Sequence, residues 1–385
     1  MSEAGVYIHI PFCRSRCSYC DFAIDVYKDS NAVGRYVSAL VKEIDSFEFF
    51  RFNRSQPQTV LTNNVDTIYF GGGTPSLLTA HQVEKILDSI NKKFSVQTGA
   101  EITIEMNPAT VTLDSLREYK NLGVTRASFG AQTFDDAELR RLGRKHTARD
   151  VRETIELLRK ADFRNVSFDL IAGLPRQSLK DWEQNLDYAL RLKPEHLSLY
   201  ILEIHEATPL ASQIKTGRQP LPDEDLVATM YELMSEKTAA KNYQQYEISN
   251  FSLPGFESRH NSKYWTLDAV FGFGCSAHSF DGKNRRYANE RDTSNYVRLI
   301  EEGNSAVVEK IETEAKSEYV FLGLRLTEGI NLQSYKNLFN DDLTEEYEED
   351  LKRLEEFELI ELSANRLRLT QKGMLYSNEV FAVFV

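Results

Sequence analysis

Val6-Tyr7-Ile8-His9-Ile10-Pro11-Phe12-Cys13-Arg14-Ser15-Arg16-Cys17-Ser18-Tyr19-Cys20 joins a short alternating run to three of the chain's four cysteines, spaced C-x3-C-x2-C. The run reads as a strand. Iron–sulfur clusters are held by cysteine thiolates, usually four. Three would hold three irons of a cubane and leave the fourth open to a substrate or cofactor. A structural zinc ion asks for four ligands in a closed tetrahedron, typically as two pairs, and the remaining cysteine, Cys275, is distant and alone. A thioredoxin-like Cys17-x-x-Cys20 leaves Cys13 unexplained. Four cysteines in 385 residues, with no secretory leader legible, argue against disulfides. The expected ligand is a [4Fe–4S] cluster on Cys13, Cys17 and Cys20.

Outward from this stretch, short β-rich runs alternate with longer amphipathic ones. Strands are predicted at Val6–Ile10, Asp66–Phe70, Ile102–Glu105, Arg126–Phe129, Val166–Leu170 and His196–Ile201, and helices near 32–48, 79–94, 112–122, 148–162, 178–191 and 222–241. Thr147 suits an N-cap and Gly123 a helix stop. Such alternation implies βαβ units around a parallel sheet. Six units fall short of a full eightfold barrel, so the fold expected is α/β, a partial (β/α)6 barrel. Within the strands, Tyr7 and His9 oppose Val6, Ile8 and Ile10; Thr67 and Tyr69 oppose Ile68 and Phe70; Ser167 and Asp169 oppose Val166, Phe168 and Leu170. With period two, each strand has an apolar face for the helices and a polar face for the lumen. A wet cavity for a large polar ligand is expected there; an antiparallel sheet with one solvated face is the competing arrangement.

Residues 1–305 are assigned to the barrel and its linker, and 306–385 to a second unit. Helix-like segments near 315–326, 331–338 and 343–357 precede a hairpin at 359–362 and 366–370, which suggests a winged-helix-like domain. Residues 341–358 hold ten acids against one Lys and one Arg, which excludes phosphate contact. A lid or docking role and a plain solvated face both suit that charge. The net charge of −12 likewise excludes nucleic acid as the main partner. No run of about 18 apolar residues occurs, so no membrane span is expected, and a cytoplasmic location fits.

Ligands of βα barrels gather at the C-terminal ends of strands. There lie the cysteines after the first strand, Gly71-Gly-Gly-Thr-Pro75 after the second, Glu105 with Asn107 closing the third, Gln132 after the fourth, Asp169 and Gly173-Leu-Pro175 closing the fifth, and Tyr200 closing the sixth. The glycines allow close backbone approach to a ligand. Glu105 and Asp169 suit ribose hydroxyls or an ammonium, or else capping. Arg144 suits a carboxylate, or else a solvated loop.

Together these motifs resemble the radical S-adenosylmethionine (SAM) enzymes. The longer match is to their branch containing oxygen-independent coproporphyrinogen III dehydrogenase and the HemW-type heme chaperones. It extends through Gly130-Ala-Gln-Thr-Phe134, Phe168-Asp-Leu-Ile-Ala-Gly-Leu-Pro175, and the terminal stretch from Gly323-Leu-Arg325 to Leu369-Thr-Gln-Lys-Gly373. The resemblance implies a cluster whose free iron is chelated by SAM. Tyr7 and Tyr19 would flank that cofactor, Gly72, Gly73 and Thr74 would meet its methionyl end, and Glu105, Gln132, Arg144 and Asp169 would finish the pocket.

Within the branch, the dehydrogenase carries a further cysteine two positions after the third; here Asp21 and Phe22 follow Cys20. His260-Asn-Ser-Lys-Tyr-Trp265 matches the H-N-x-x-Y-W signature of the heme chaperones. The resemblance implies heme held by His260 as axial ligand beside the flat rings of Tyr264 and Trp265. It also implies transfer to acceptor hemoproteins, soluble or membrane-bound, and an electron donor. Cluster and SAM would serve as a structural or redox switch. The alternative is radical-driven oxidative decarboxylation of coproporphyrinogen III. In Gly272-Phe-Gly-Cys-Ser-Ala-His-Ser279, Cys275 reads as a buried small hydrophobe rather than a reserve ligand, and His278 as either a pocket or a core residue.

Overall fold

The computed structural model describes residues 3–26, 29–48 and 63–385. Six strands, β1 (Ala4–Ile10), β2 (Asn64–Gly72), β3 (Ser95–Met106), β4 (Arg126–Gln132), β5 (Val166–Ala172) and β6 (His196–Ile201), pair in parallel and in chain order. Helices α1 (Ser30–Ser46), α2 (Ala80–Lys93), α3 (Leu113–Asn121), α4 (Ala148–Lys160), α5 (Leu179–Leu192) and α6 (Glu224–Ala239) cover the outside. Each starts on a side chain that accepts a free backbone N–H of the first turn: Asp29, Thr79, Thr112, Thr147, Ser178 and Asp223. At Thr79, Thr112, Thr147 and Ser178 the bond is reciprocated as a capping box. Gly123 ends the third unit at φ +92°.

The apolar strand faces meet these helices. Val6, Ile8, Ile10, Ile68, Phe70, Ile104, Phe168, Leu170, Leu197 and Leu199 share one core with Leu40, Ile86, Leu116, Leu158 and Leu186. The structure is therefore an α/β partial barrel, and the antiparallel alternative is excluded. The polar faces turn inward as expected, but they do not line an open cavity along their length. Thr67, Thr103, Arg126, Ser128, Ser167, His196 and Ser198 are all buried. Lumen side chains partner one another: Ser167 Oγ lies 2.8 Å from His196 Nδ1, and His196 Nε2 lies 2.8 Å from the Tyr246 hydroxyl.

The sheet also continues past both ends of the barrel. Val270–Phe273 adds in parallel beside β1, followed antiparallel by His278–Phe280, Arg285–Asn289 and Val307–Glu312; Asn250–Ser252 and Gln244–Gln245 add antiparallel beside β6. Between these flanks, the helix Arg259–Trp265 lies under the lumen. The Glu101 carboxylate accepts from the N–H groups of Arg259 and His260 at 3.5 and 3.3 Å, a favourable place for negative charge. Asp66 lies 2.7 Å from both the Arg259 guanidinium and the Lys263 ammonium. Lys263 also donates to the Glu3 carbonyl at 2.7 Å.

A second core holds Val320, Leu324, Tyr335, Leu351, Leu354, Leu367, Leu369, Val380 and Phe384. Its small sheet orders Ile330–Asn331, Arg366–Leu369 and Ile360–Leu362, all antiparallel, the winged-helix-like arrangement expected. The acidic helix near 343–357 is broken at Tyr347 into Leu343–Glu346 and Glu348–Glu356. Since Val307–Glu312 still belongs to the large sheet, we place the division between the units after Glu312, a few residues beyond 305.

Lys263 is almost wholly buried beside Asp66. Removing one partner of a buried pair leaves an uncompensated charge, so Asp66→Ala lowers stability by about 3 kcal/mol in urea unfolding. A loss below about 1 kcal/mol would mean that the pair behaves as a solvated surface contact.

Candidate functional site

The rim is assembled from the loops that follow the strands. The cysteine loop is fastened on two sides. Gly73 N–H donates to the Ile10 carbonyl and Thr74 N–H to the Phe12 carbonyl, both at 2.8 Å. Across the mouth, Ser18 N–H donates to Leu142 O at 2.9 Å and the Ser15 hydroxyl to Gly143 O at 3.4 Å. Glycine at 73 is obligatory, because a Cβ there would lie 2.8 Å from the Pro11 and Phe12 backbone. At Gly72, φ is +108° and a Cβ would meet the His9 ring at 2.6 Å.

Cys13 Sγ lies 3.5 Å from Thr74 Oγ1, and Cys17 Sγ takes an Arg144 N–H at 3.6 Å. Burial pushes the Cys13 thiol up to about 11, with Cys17 and Cys20 adding to the rise, and raises Cys20 for the same first reason. Thiols held this way ionise when a bound cation supplies the compensating charge. Among the described residues no three His, Cys, Asp or Glu side chains gather tightly enough to hold a single ion.

Arg144 is the hub of the opposite wall. It donates to Gly130 O at 2.6 Å and Asn107 Oδ1 at 3.0 Å, and Asn107 in turn donates to Thr74 Oγ1 at 2.7 Å. Its Nε is buried without a hydrogen-bond partner among the described residues. Glycine at 130 lets both side chains close on the strand, since a Cβ would lie 2.2 Å from Arg144 Nη2 and 2.3 Å from the Gln132 amide nitrogen and would displace them. Gln132 itself has φ +66° beside a shift in strand register, strain of the sort that clusters at binding sites. Arg144 is thus a half-buried brace tied into the wall, and the solvated-loop alternative falls away. Tyr19 packs on Leu142, Ile171 and Leu174.

Glu105 faces the glycine turn. Tyr69 OH donates to its Oε1 at 2.7 Å and Gly72 N–H to its Oε2 at 3.1 Å. Burial nonetheless pushes it up to about 7, and burial also raises Asp169. Tyr7 stacks on Tyr69 with its hydroxyl 3.1 Å from His9 Nδ1, and His9 Nε2 lies 2.9 Å from Ala23 O. His9 and Tyr69 were not expected as site residues. Their lumen-facing parity was the available signal.

The predicted heme trio is placed elsewhere. His260, Tyr264 and Trp265 sit on the helix under the lumen rather than at the rim. His260 is 1% exposed. Its Nδ1 lies 2.9 Å from Thr67 Oγ1 and its Nε2 3.2 Å from the Tyr264 hydroxyl, and burial lowers its pKa to about 3. The imidazole is neutral, with both nitrogens engaged. Trp265 lies under the Arg325 guanidinium at 4.3 Å. Tyr264 and Trp265 are half-buried, and His260 is enclosed by the barrel. Cys275 is fully buried, 3.6 Å from the Tyr36 hydroxyl and 3.8 Å from Thr293 Oγ1, a core residue. His278 is exposed at the start of its strand.

Three backbone loops, a strained glutamine and a half-buried arginine converging on cysteines define the mouth of a radical-SAM barrel. The Radical SAM superfamily model matches residues 7–189, and the HemN C-terminal domain model matches 312–376. The solved structure of coproporphyrinogen III oxidase (HemN) from Escherichia coli, a radical SAM enzyme, superposes with a TM-score of 0.82 at 21% identity, covering 99% of this chain and 90% of that one. Heme chaperone HemW of Bacillus subtilis is 37% identical, covering 99% of both chains. The Lactococcus lactis protein of the same name is 34% identical, covering 99% of this chain and 97% of its own. The chain belongs to the HemW family. Among the described residues no helix is long and apolar enough to cross a membrane.

A carboxyl whose folded pKa exceeds its unfolded one takes up a proton on folding. The stability Glu105 contributes is therefore present below about 4.5 and lost as pH rises toward about 7. Glu105→Gln is expected to flatten the stability–pH curve across that window by on the order of 1–2 kcal/mol, allowing for its partial exposure at the mouth. Urea unfolding at pH 5 and pH 8 measures this, and an unchanged slope would contradict it.

Proposed function

We propose that this protein is a heme chaperone: it takes up heme and passes it to acceptor hemoproteins, while a [4Fe–4S] cluster with SAM on its open iron occupies the barrel mouth. The observation that carries this reading is similarity along the whole chain to proteins named heme chaperone HemW, in a chain that has Phe22 rather than a cysteine two positions after Cys20 and carries His260-Asn-Ser-Lys-Tyr-Trp265.

The residues fit the implied cofactors. Cys13, Cys17 and Cys20 would hold the cluster, and the buried Cys275 is too enclosed to serve. Tyr7, Tyr19, Gly72, Gly73, Thr74, Glu105, Gln132, Arg144 and Asp169 would form the SAM pocket. The unpartnered Arg144 Nε is a donor available there, and the Glu105 carboxylate is an acceptor. When bound and reduced by an electron donor, such a cluster supplies one electron to SAM; orienting the cofactor and shielding it from water falls to the protein. In our reading the protein works in the cytoplasm and meets the membrane only through a membrane-bound acceptor.

Axial ligation of heme by His260, beside Tyr264 and Trp265, would require Nε2 to give up the Tyr264 hydroxyl and the helix to open from the lumen. As packed, both His260 nitrogens are engaged within the protein.

Two measurements test these assignments. Anaerobically reconstituted wild-type protein is expected to carry four irons. Cys13→Ser, Cys17→Ser and Cys20→Ser each lose the cluster's visible absorption, and Cys275→Ser keeps it. Equal loss in Cys275→Ser would redraw the site. In parallel, heme titration is expected to show stoichiometric uptake, with no conversion of coproporphyrinogen III under reducing anaerobic conditions. Turnover without heme uptake would make the protein a coproporphyrinogen III dehydrogenase instead.

A further inference from the structure

We infer that His260 is a positioning residue for the cofactor site: its ring props Tyr69, and through Tyr69 it sets the Glu105 carboxylate at the mouth. The inference rests on the radical-SAM reading of that mouth but not on heme binding.

The lumen is layered. Gly5 lies opposite Thr67 in register, and Tyr7 opposite Tyr69 one layer higher. Gly5 brings no side chain to its layer. A Cβ there would stand 2.9 Å from Thr67 Oγ1 and 3.1 Å from the His260 ring, so the imidazole from the helix below occupies the space that β1 leaves. Thr67 and Tyr264 hold its two nitrogens, which fixes the plane of the ring. Tyr69 lies on that plane with centroids 5.1 Å apart at 27°. Tyr7 completes the stack, 6.4 Å from His260 and 6.2 Å from Tyr69.

The Tyr69 hydroxyl then reaches Glu105, whose other oxygen takes the Gly72 N–H. Glu105 is thus tied at one oxygen to the glycine turn and at the other to a ring whose seat is His260. The base of this column is stiff, because Glu101 caps the helix and Asp66 holds Arg259 and Lys263. Without the imidazole plane, Tyr69 gains a ring-sized space beneath it and its hydroxyl is no longer held on the carboxylate.

An iron ligand must offer a free nitrogen, whereas a prop needs only a plane, and phenylalanine keeps the plane while giving up the nitrogen. Cluster-reconstituted protein is titrated anaerobically with SAM by calorimetry, with melting temperature and iron content recorded for each variant. Tyr69→Phe and His260→Ala are expected to weaken SAM binding to a similar extent, roughly tenfold, as losing a hydrogen bond to a charged group does. The double variant is expected to be no weaker than either, since both act on one contact. His260→Phe is expected to weaken SAM binding clearly less than His260→Ala, because a flat ring still seats Tyr69 although Thr67 and Tyr264 lose their partner. If His260→Ala does not fold, His260→Leu replaces it, filling volume without a plane.

Unchanged SAM affinity in His260→Ala, or equal weakening in His260→Phe and His260→Leu, overturns the inference. Wild-type protein that binds no SAM at all is a different failure, that of the mouth assignment. Heme uptake by the same variants reports on the chaperone function separately.

Discussion

A polar side chain inside a six-stranded open barrel draws its partners from within the lumen or goes without, because the helices cover only the outer faces. This constraint organises the molecule. Ser167 is answered by His196 and then by Tyr246 from beyond β6. Thr67 is answered by His260 from the helix beneath. The flanking strands beside β1 and β6 carry those partners into place, so the extended sheet completes the interior that six βα units leave open. A buried hydroxyl or imidazole without a partner would cost on the order of 1–3 kcal/mol.

The rim combines missing partners with strain. There the polar atoms are partly unmatched: Arg144 Nε has no partner among the described residues, Gln132 is held at positive φ, and burial raises Glu105, Asp169 and two of the cysteine thiols. A site that is strained and short of compensating charge is one shaped for something charged to arrive. The Tyr7–Tyr69–His260 stack joins this mouth to the floor of the barrel, where Thr103 Oγ1 and Arg126 Nε and Nη1 are also without a hydrogen-bond partner among the described residues.

Much of this was legible in the chain. Period-two parity along β1, β2 and β5 separated lumen from core, and the cap at Thr147 and the stop at Gly123 held to the residue. The cysteine spacing and the glycine turn located the mouth, because βα topology carries strand ends to one rim. Three features were hidden for physical reasons. The added strands, such as Val270–Phe273 and His278–Phe280, are too short to show periodicity. The acidic helix looked continuous because only backbone geometry at Tyr347 breaks it. His260 read as a loop ligand because nothing local shows that Gly5, more than two hundred residues earlier, leaves room for its ring.

The account depends most on an iron left without a protein ligand by Cys13, Cys17 and Cys20. Mössbauer spectroscopy of protein reconstituted anaerobically with 57Fe, before and after addition of SAM, reads that iron directly. One site of the four should shift on SAM addition while the other three hold. Four equivalent sites that ignore SAM, or zinc in place of iron, would contradict it.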